Sequence, residues 1–155
     1  MTKILFGTAG PGQWTPYAKR ERLKAFFLYA RDFRCAGQKT GSILVRAFLL
    51  GHALELLLKS YLLYSGYGEK RIKALGHNLD RVLSECLKNG LEEHLKVSRE
   101  VQADLHLFNQ AYSSKALEYF SILYILAPPQ LPPLTRLTRF AASLEKALGS
   151  AYGQA

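Results

Sequence analysis

An all-α helical bundle is what this sequence predicts, and three observations predict it. Apolar residues recur at three- and four-residue spacing in the segments around 23–33, 97–112 and 137–148. The segment from Ser42 to Tyr64 is apolar around most of its circumference, as expected of an element surrounded by neighbours. Gly37, Gly66 and Gly90 follow the apolar segments as stop signals.

The 155 residues suit one domain, since a unit takes roughly 100–200 residues. A hydrophobic content of 48% supplies a core, and 21% charged residues, dispersed along the chain, argue against wholesale disorder. Residues 1–14 read as an irregular arm and 15–155 as a single helical domain. The arm contains GTAGPG, but no Gly-Lys-Ser/Thr follows, so a phosphate-cradling loop is not supported. The apolar run Met1–Phe6 is too short for the core of a secretory signal.

The first helix should open with Thr15 as cap and Pro16 at its first position, presenting Leu23, Phe26, Phe27, Ala30 and Phe33 on one face. Gly37 should end it. The second runs from Ser42 to about Tyr64, with His52, Glu55 and Lys59 as a polar stripe at i, i+3 and i+7. Gly66 to Gly76 is a basic connection with room for one helical turn. The third spans about Asn78 to Lys88, with Asn78 as cap and Asp80 at the positive end of the helix dipole. The fourth spans about Glu93 to Tyr112, with Val97, Val101, Leu105, Phe108 and Tyr112 inward. Between Leu117 and Leu134 an apolar stretch meets two Pro-Pro pairs, which predicts a short helix or extended segment and then a polyproline turn. A last helix, about Leu134 to Ala151, turns Leu137, Phe140, Ala141, Leu144 and Leu148 inward.

Several function classes lose support at once. Cys35 and Cys86 lack any metal-ligand spacing and read as two reduced thiols in a cytoplasmic protein, with no metal site and no cofactor. The apolar second helix is long enough to span a bilayer. It carries Arg46, His52, Glu55 and Lys59, however, and central charges cost about 2.5–3.5 kcal/mol each on insertion, so no membrane role is expected. The formal net charge of +9 favours polyanionic partners such as RNA or nucleotides, against the plainer reading of a basic solvated surface. Basic residues cluster at Lys19, Arg20, Arg22 and Lys24, at Lys70, Arg71 and Lys73, and at Arg136 and Arg139.

The segment HALELLLKSYLL, with Glu55 and Lys59 four residues apart, resembles the second-helix signature of the HEPN (higher eukaryotes and prokaryotes nucleotide-binding) family. GHNLDRVLSECL resembles the family's His-Asp-Leu segment through His77, Asn78 and Leu79. FNQAYSSKALEYF resembles its Leu-Asn…Tyr…Arg-Tyr-Pro segment through Asn109, Tyr112 and Tyr119. The likeness extends from about Ser42 to Leu148. Asn78 stands where the family has Asp, Glu118 where it has Arg, and Phe120 where it has Pro, which weakens any anion-binding role for that last loop. The resemblance implies an antiparallel bundle of four or five helices, often a homodimer, that binds nucleotides or RNA. Some members partner small nucleotidyltransferases in toxin–antitoxin pairs. Ribonuclease members use an Arg-x4–6-His motif for metal-independent cleavage.

Three stretches fit that loose motif: Arg46 to His52, Arg71 to His77 and Arg99 to His106. Arg46 is followed by Ala and Arg71 by Ile, unlike the nuclease signature, and both read as structural. Arg99 and His106 share one face of a helix, about 10 Å apart along its axis, with Gln102 and Asn109 beside them. They are the catalytic candidates, weighed against an ordinary solvated face. Catalysis is not the leading reading. For His52, Glu55, Lys59 and His77 two readings stand: a structural polar seam, or a ligand or dimer site. A Glu→Lys pair at i, i+4 is a common stabiliser worth about 0.2–0.5 kcal/mol, but unpaired burial in so apolar a helix is costly. His94 reads as exposed and solitary.

Overall fold

The computed structural model describes residues 15–119 and 126–153. The N-terminal arm, the GTAGPG segment and the apolar residues 120–125 lie outside them. Among the described residues there are six α-helices and one 3-10 turn, and no strand.

Helix α1 (Pro16–Lys39) begins where Pro16 presets the helical φ and the Thr15 hydroxyl accepts from Ala18 N at 3.1 Å. It runs two residues beyond Gly37. That glycine is buried inside the helix: a Cβ there would meet Leu49 Cβ at 3.3 Å, so its smallness lets α1 lie close on α2. The expected stop signal is a packing residue instead. A tight connection at Thr40–Ser42 then reverses the chain. Arg46 braces it by donating to the Thr40 carbonyl at 2.9 Å.

Helix α2 (Ile43–Tyr64) is the rod the other elements wrap. Leu54, Leu57, Leu58 and Leu62 are fully buried, in one core with Val82, Cys86, Leu105, Phe108, Leu137, Leu144 and Leu148 of the later helices. Burying one such side chain stabilises the fold by about 1.5–3 kcal/mol. The first turn departs from this, because Ile43, Leu44 and Val45 are exposed. The long apolar run is therefore an inner rod with a bare tip.

The basic connection contains a short helix, α3 (Glu69–Ala74), and Asn78 caps α4 (Leu79–Lys88) by accepting from Arg81 N at 3.0 Å. Gly90 turns the chain at φ +84 into a 3-10 turn, Leu91–Glu93. Helix α5 (Arg99–Ser113) starts six residues later than the periodicity suggests. Val97 is buried as expected, but on a non-helical approach, and the Ser98 hydroxyl, accepting from Val101 N, starts the helix. The expected inner face of the last helix, α6 (Leu134–Gly153), is buried in full. On α1 only Ala30 of the expected face is buried. Leu23, Phe26 and Phe27 are half-covered, so α1 is an outer layer.

Two ion pairs invisible in local sequence pin the layers. Arg34 Nε meets Glu145 at 2.7 Å, joining α1 to α6 and holding the guanidinium pKa above its ordinary value. Arg136 meets Asp104 at 2.6 Å, joining α6 to α5. No helix among the described residues is long and apolar enough to cross a membrane.

Candidate functional site

Glu55 sits at the centre of the polar stripe, buried on α2 with its side chain 8% exposed. Every oxygen it has is engaged. Lys59 Nζ donates to Oε1 at 2.6 Å, while Tyr112 Oη and His77 Nδ1 lie 2.7 and 3.0 Å from Oε2. Lys59 also donates to the Gly76 carbonyl at 2.7 Å. His52 Nδ1 lies 3.2 Å from the Phe48 carbonyl and 3.3 Å from Tyr112 Oη, its ring packed among Phe33, Phe48 and Tyr112. Gly51 makes this possible. Any Cβ there would overlap the Tyr112 ring, which lies directly on the α2 backbone.

The electrostatics follow from this enclosure. Burial pushes the Glu55 carboxyl up, but the hydrogen bonds from Lys59, Tyr112 and His77 and the Lys59 charge outweigh it and hold the pKa below its ordinary value. Burial, then the charge and acceptor oxygen of Glu55, raise the Tyr112 phenol well above its usual range. The knot is charged but closed: it joins α2, α5 and the approach to α4, and leaves no oxygen of Glu55 open to a ligand.

A second polar cluster lies one residue further along, at the start of α4. Asn109, buried on α5, accepts from Leu79 N at 2.8 Å and donates to Asn78 Oδ1 and to Asp80 Oδ2, at 3.3 and 2.9 Å. Leu79 N is one of the amides a helix start leaves without an internal partner, so a side chain of another helix completes the cap. Asp80 Oδ2 also lies 3.0 Å from His106 Nδ1. With Nδ1 donating to the carboxylate, the neutral ring offers Nε2 as an acceptor. His106 is 68% exposed and lines a shallow cleft with Asp80, Ser84, Lys88 and Gln102. Arg99 is exposed in the first turn of α5 and is not among the residues lining it.

The structure thus brings His52, Glu55, Lys59, His77 and Tyr112 into one cluster and Asn78, Asn109 and His106 into another. Arg99 joins neither. Asp80, expected only to face the helix dipole, is the hub of the second cluster, and the Asp80–His106 spacing of 26 residues gives no local signal.

A third constellation went unread in the sequence. Glu85 Oε2 accepts from Tyr67 Oη at 2.6 Å and from Arg71 at 3.1 Å, and Oε1 accepts from Lys88 at 2.9 Å. The Arg71 guanidinium lies 3.7 Å from the centre of the Tyr67 ring. The hydrogen bonds from Tyr67 and Lys88 lead in pulling the Glu85 carboxyl down to about 2. Arg71 is thereby a stacked, paired helix residue, and its motif partner His77 turns to Glu55. His94 is exposed as expected, with Tyr61 edge-on to it at 5.9 Å.

Cys86 is buried, its thiol donating to the Leu58 carbonyl, and burial raises its pKa far above the usual range. Cys35 is half-buried, and both thiols are free. Among the described residues no group of three or more His, Cys, Asp or Glu side chains is arranged to hold a metal ion.

The basic clusters are also rearranged by folding. Glu69 of α3 pairs with Arg22 of α1 at 3.6 Å and with Lys73 at 2.8 Å. The basic run of α1 and the basic run of α3 are therefore neighbours at one end of the bundle. Compared with protein-family models, with curated proteins and with solved structures, the chain matches none.

Proposed function

We propose that the chain is a HEPN-like bundle acting as a homodimeric binding module, contacting nucleotide or RNA phosphates through its basic end in a toxin–antitoxin or nucleotidyltransferase-linked system. One observation carries the phosphate reading. The basic runs Lys19, Arg20, Arg22 and Lys24 of α1 and Lys70, Arg71 and Lys73 of α3 are separate in sequence, and the Arg22–Glu69–Lys73 contact brings the two runs to one end of the bundle. The carboxylates paired with them are Glu21, Glu69 and Glu85, three against seven cations. The surplus is a phosphate-seeking surface, whereas the Glu55 knot is buried and paired internally.

The test is RNA binding by fluorescence anisotropy across a salt series. Each neutralised phosphate contributes about 0.7 to the slope of log affinity against log salt on a single strand. Lys19→Glu with Lys73→Glu should flatten the slope by about one to two. Absence of binding at low salt would overturn the reading.

A second reading rests on the His106–Asp80 contact: a metal-independent ribonuclease toxin in which an oriented imidazole moves the proton. It requires RNA cleavage that persists in EDTA and disappears in His106→Ala. Residual cleavage in that variant removes it. The bare α2 tip, Ile43 to Val45, favours instead a regulatory partner of a nucleotidyltransferase. Its test is co-purification that Leu44→Glu abolishes.

A further inference from the structure

At the same basic end, α1, the last turn of α2 and the end of α6 enclose a cleft of about 290 Å³. Its rim is Lys19, Arg20 and Lys24, and its apolar floor is Leu23, Leu63 and Tyr152. Tyr64 forms a wall, with its ring 5.3 Å from that of Tyr152. Tyr152 is itself fixed by a 2.8 Å hydrogen bond to Ser60, a buried residue of α2. Tyr64 is 40% exposed. It also lines a second cleft, where Glu93, His94 and Lys146 stand. One turn before Arg20 on α1, Tyr17 is 73% exposed, and it shares a face with Arg20 and Lys24 at i, i+3 and i+7.

We infer that this surface selects single-stranded RNA over duplex, by stacking unpaired bases on Tyr64 and Tyr17 while the surrounding cations take the phosphates. The inference rests on the phosphate-binding reading above and adds what the charge alone does not supply. A duplex hides its base faces in its own stack, so a basic surface without aromatics binds both forms through phosphate. Exposed rings between cations change the balance, because every unpaired base has a face to offer them. Two clefts meeting at Tyr64, one rimmed by Lys19, Arg20 and Lys24 and the other holding Lys146 beside Glu93, suit a strand of several nucleotides better than a lone nucleotide.

The experiment compares a single-stranded RNA of about ten nucleotides with a duplex of the same length, by anisotropy at one low salt concentration. The intact chain should bind the single strand more tightly. Tyr64→Leu, which keeps apolar bulk but removes the ring, should weaken single-strand binding about fivefold to a hundredfold and leave duplex binding unchanged. Tyr64→Phe should bind like the parent. Tyr17→Ala alters a side chain outside the core, and decides the matter if Tyr64→Leu melts early: it too should weaken only the single strand. Equal affinity for both RNAs, or single-strand binding indifferent to Tyr64→Leu and Tyr17→Ala, overturns the inference. If Lys19→Glu and Lys73→Glu still weaken both RNAs in that case, the phosphate reading stands without it. If neither RNA binds, both fall.

Discussion

His77 meets Glu55, and His106 meets Asp80, through Nδ1 at 3.0 Å in each case. Both histidines are exposed, at 53% and 68%, and the two regions differ in the carboxylate each one meets. Glu55 is buried, with both oxygens engaged by three donors from α2, α5 and the loop before α4. Asp80 is 35% exposed, and its histidine projects into a cleft open to solvent. Enclosure makes the first pair a structural latch, because a charge removed from water must keep every partner. Exposure leaves the second pair cheap to break and free to meet a ligand. The same residue types thus serve different ends according to what surrounds them.

The sharpest way to test this contrast is to remove the buried carboxylate. Glu55→Gln leaves the Lys59 ammonium buried without its counter-charge, and should cost about 3–5 kcal/mol, read as a fall in the urea midpoint. A loss under about 1 kcal/mol would mean that Lys59 escapes to solvent and that the knot is not closed. Gly51→Ala attacks the same region from the packing side. Alanine ordinarily favours a helix by about 1 kcal/mol, but here its Cβ overlaps the Tyr112 ring. Net destabilisation of about 1–3 kcal/mol is expected, together with a changed tyrosine environment in near-ultraviolet circular dichroism. Asn109→Ala probes the buried edge of the second region. It strands Leu79 N at the start of α4 and should cost about 1–3 kcal/mol, with faster hydrogen exchange at that amide.

Acid sharpens the comparison further. The Glu85 carboxyl lies at about 2 in the folded chain against an ordinary 4.5, held there first by Tyr67 and then by Lys88. A carboxyl depressed on folding contributes stability that is fully present above its unfolded value and is lost as protons bind the native form. Stability should therefore fall as the pH drops from about 4.5 towards 2, and the depressed Glu55 carboxyl adds to the fall. In Glu85→Gln the decline over that window should be shallower, measured as the thermal midpoint against pH. An unchanged profile would remove Glu85 from the acid response.

Much of the fold could be read ahead because it rests on short-range signals. The Thr15-Pro16 start, the Asn78 cap and the inner face of α6 each follow from residues within one or two turns of each other. The misread places have one cause: a tertiary contact overrode a local rule. Gly37 looked like a terminator because its partner, Leu49, lies across the hairpin. The α5 stripe counted Val97 as helical from its spacing, and Val97 is indeed buried, although the approach to α5 is non-helical and Ser98 caps the helix. In the candidate site, the i, i+3, i+7 stripe named His52, Glu55 and Lys59 correctly as neighbours. The Asp80–His106 and Tyr67–Glu85 contacts were invisible, since only the packing of separate elements creates them.

The smallest expected effect is also the one that bears most directly on why the two regions differ. His106 covers no core, and Asp80 keeps Asn109 when the imidazole is removed. His106→Ala should therefore change stability by less than about 1 kcal/mol, the range of surface ion pairs. A double-mutant cycle of His106→Ala with Asp80→Asn isolates the pair from the cap that Asp80 also touches. Its coupling should fall in the same range, while the matching cycle of Glu55→Gln with His77→Ala should give several-fold more. Because the His–carboxylate distance is the same in both regions, a surface coupling as large as the buried one would mean that contact geometry, and not enclosure, sets the strength of these pairs.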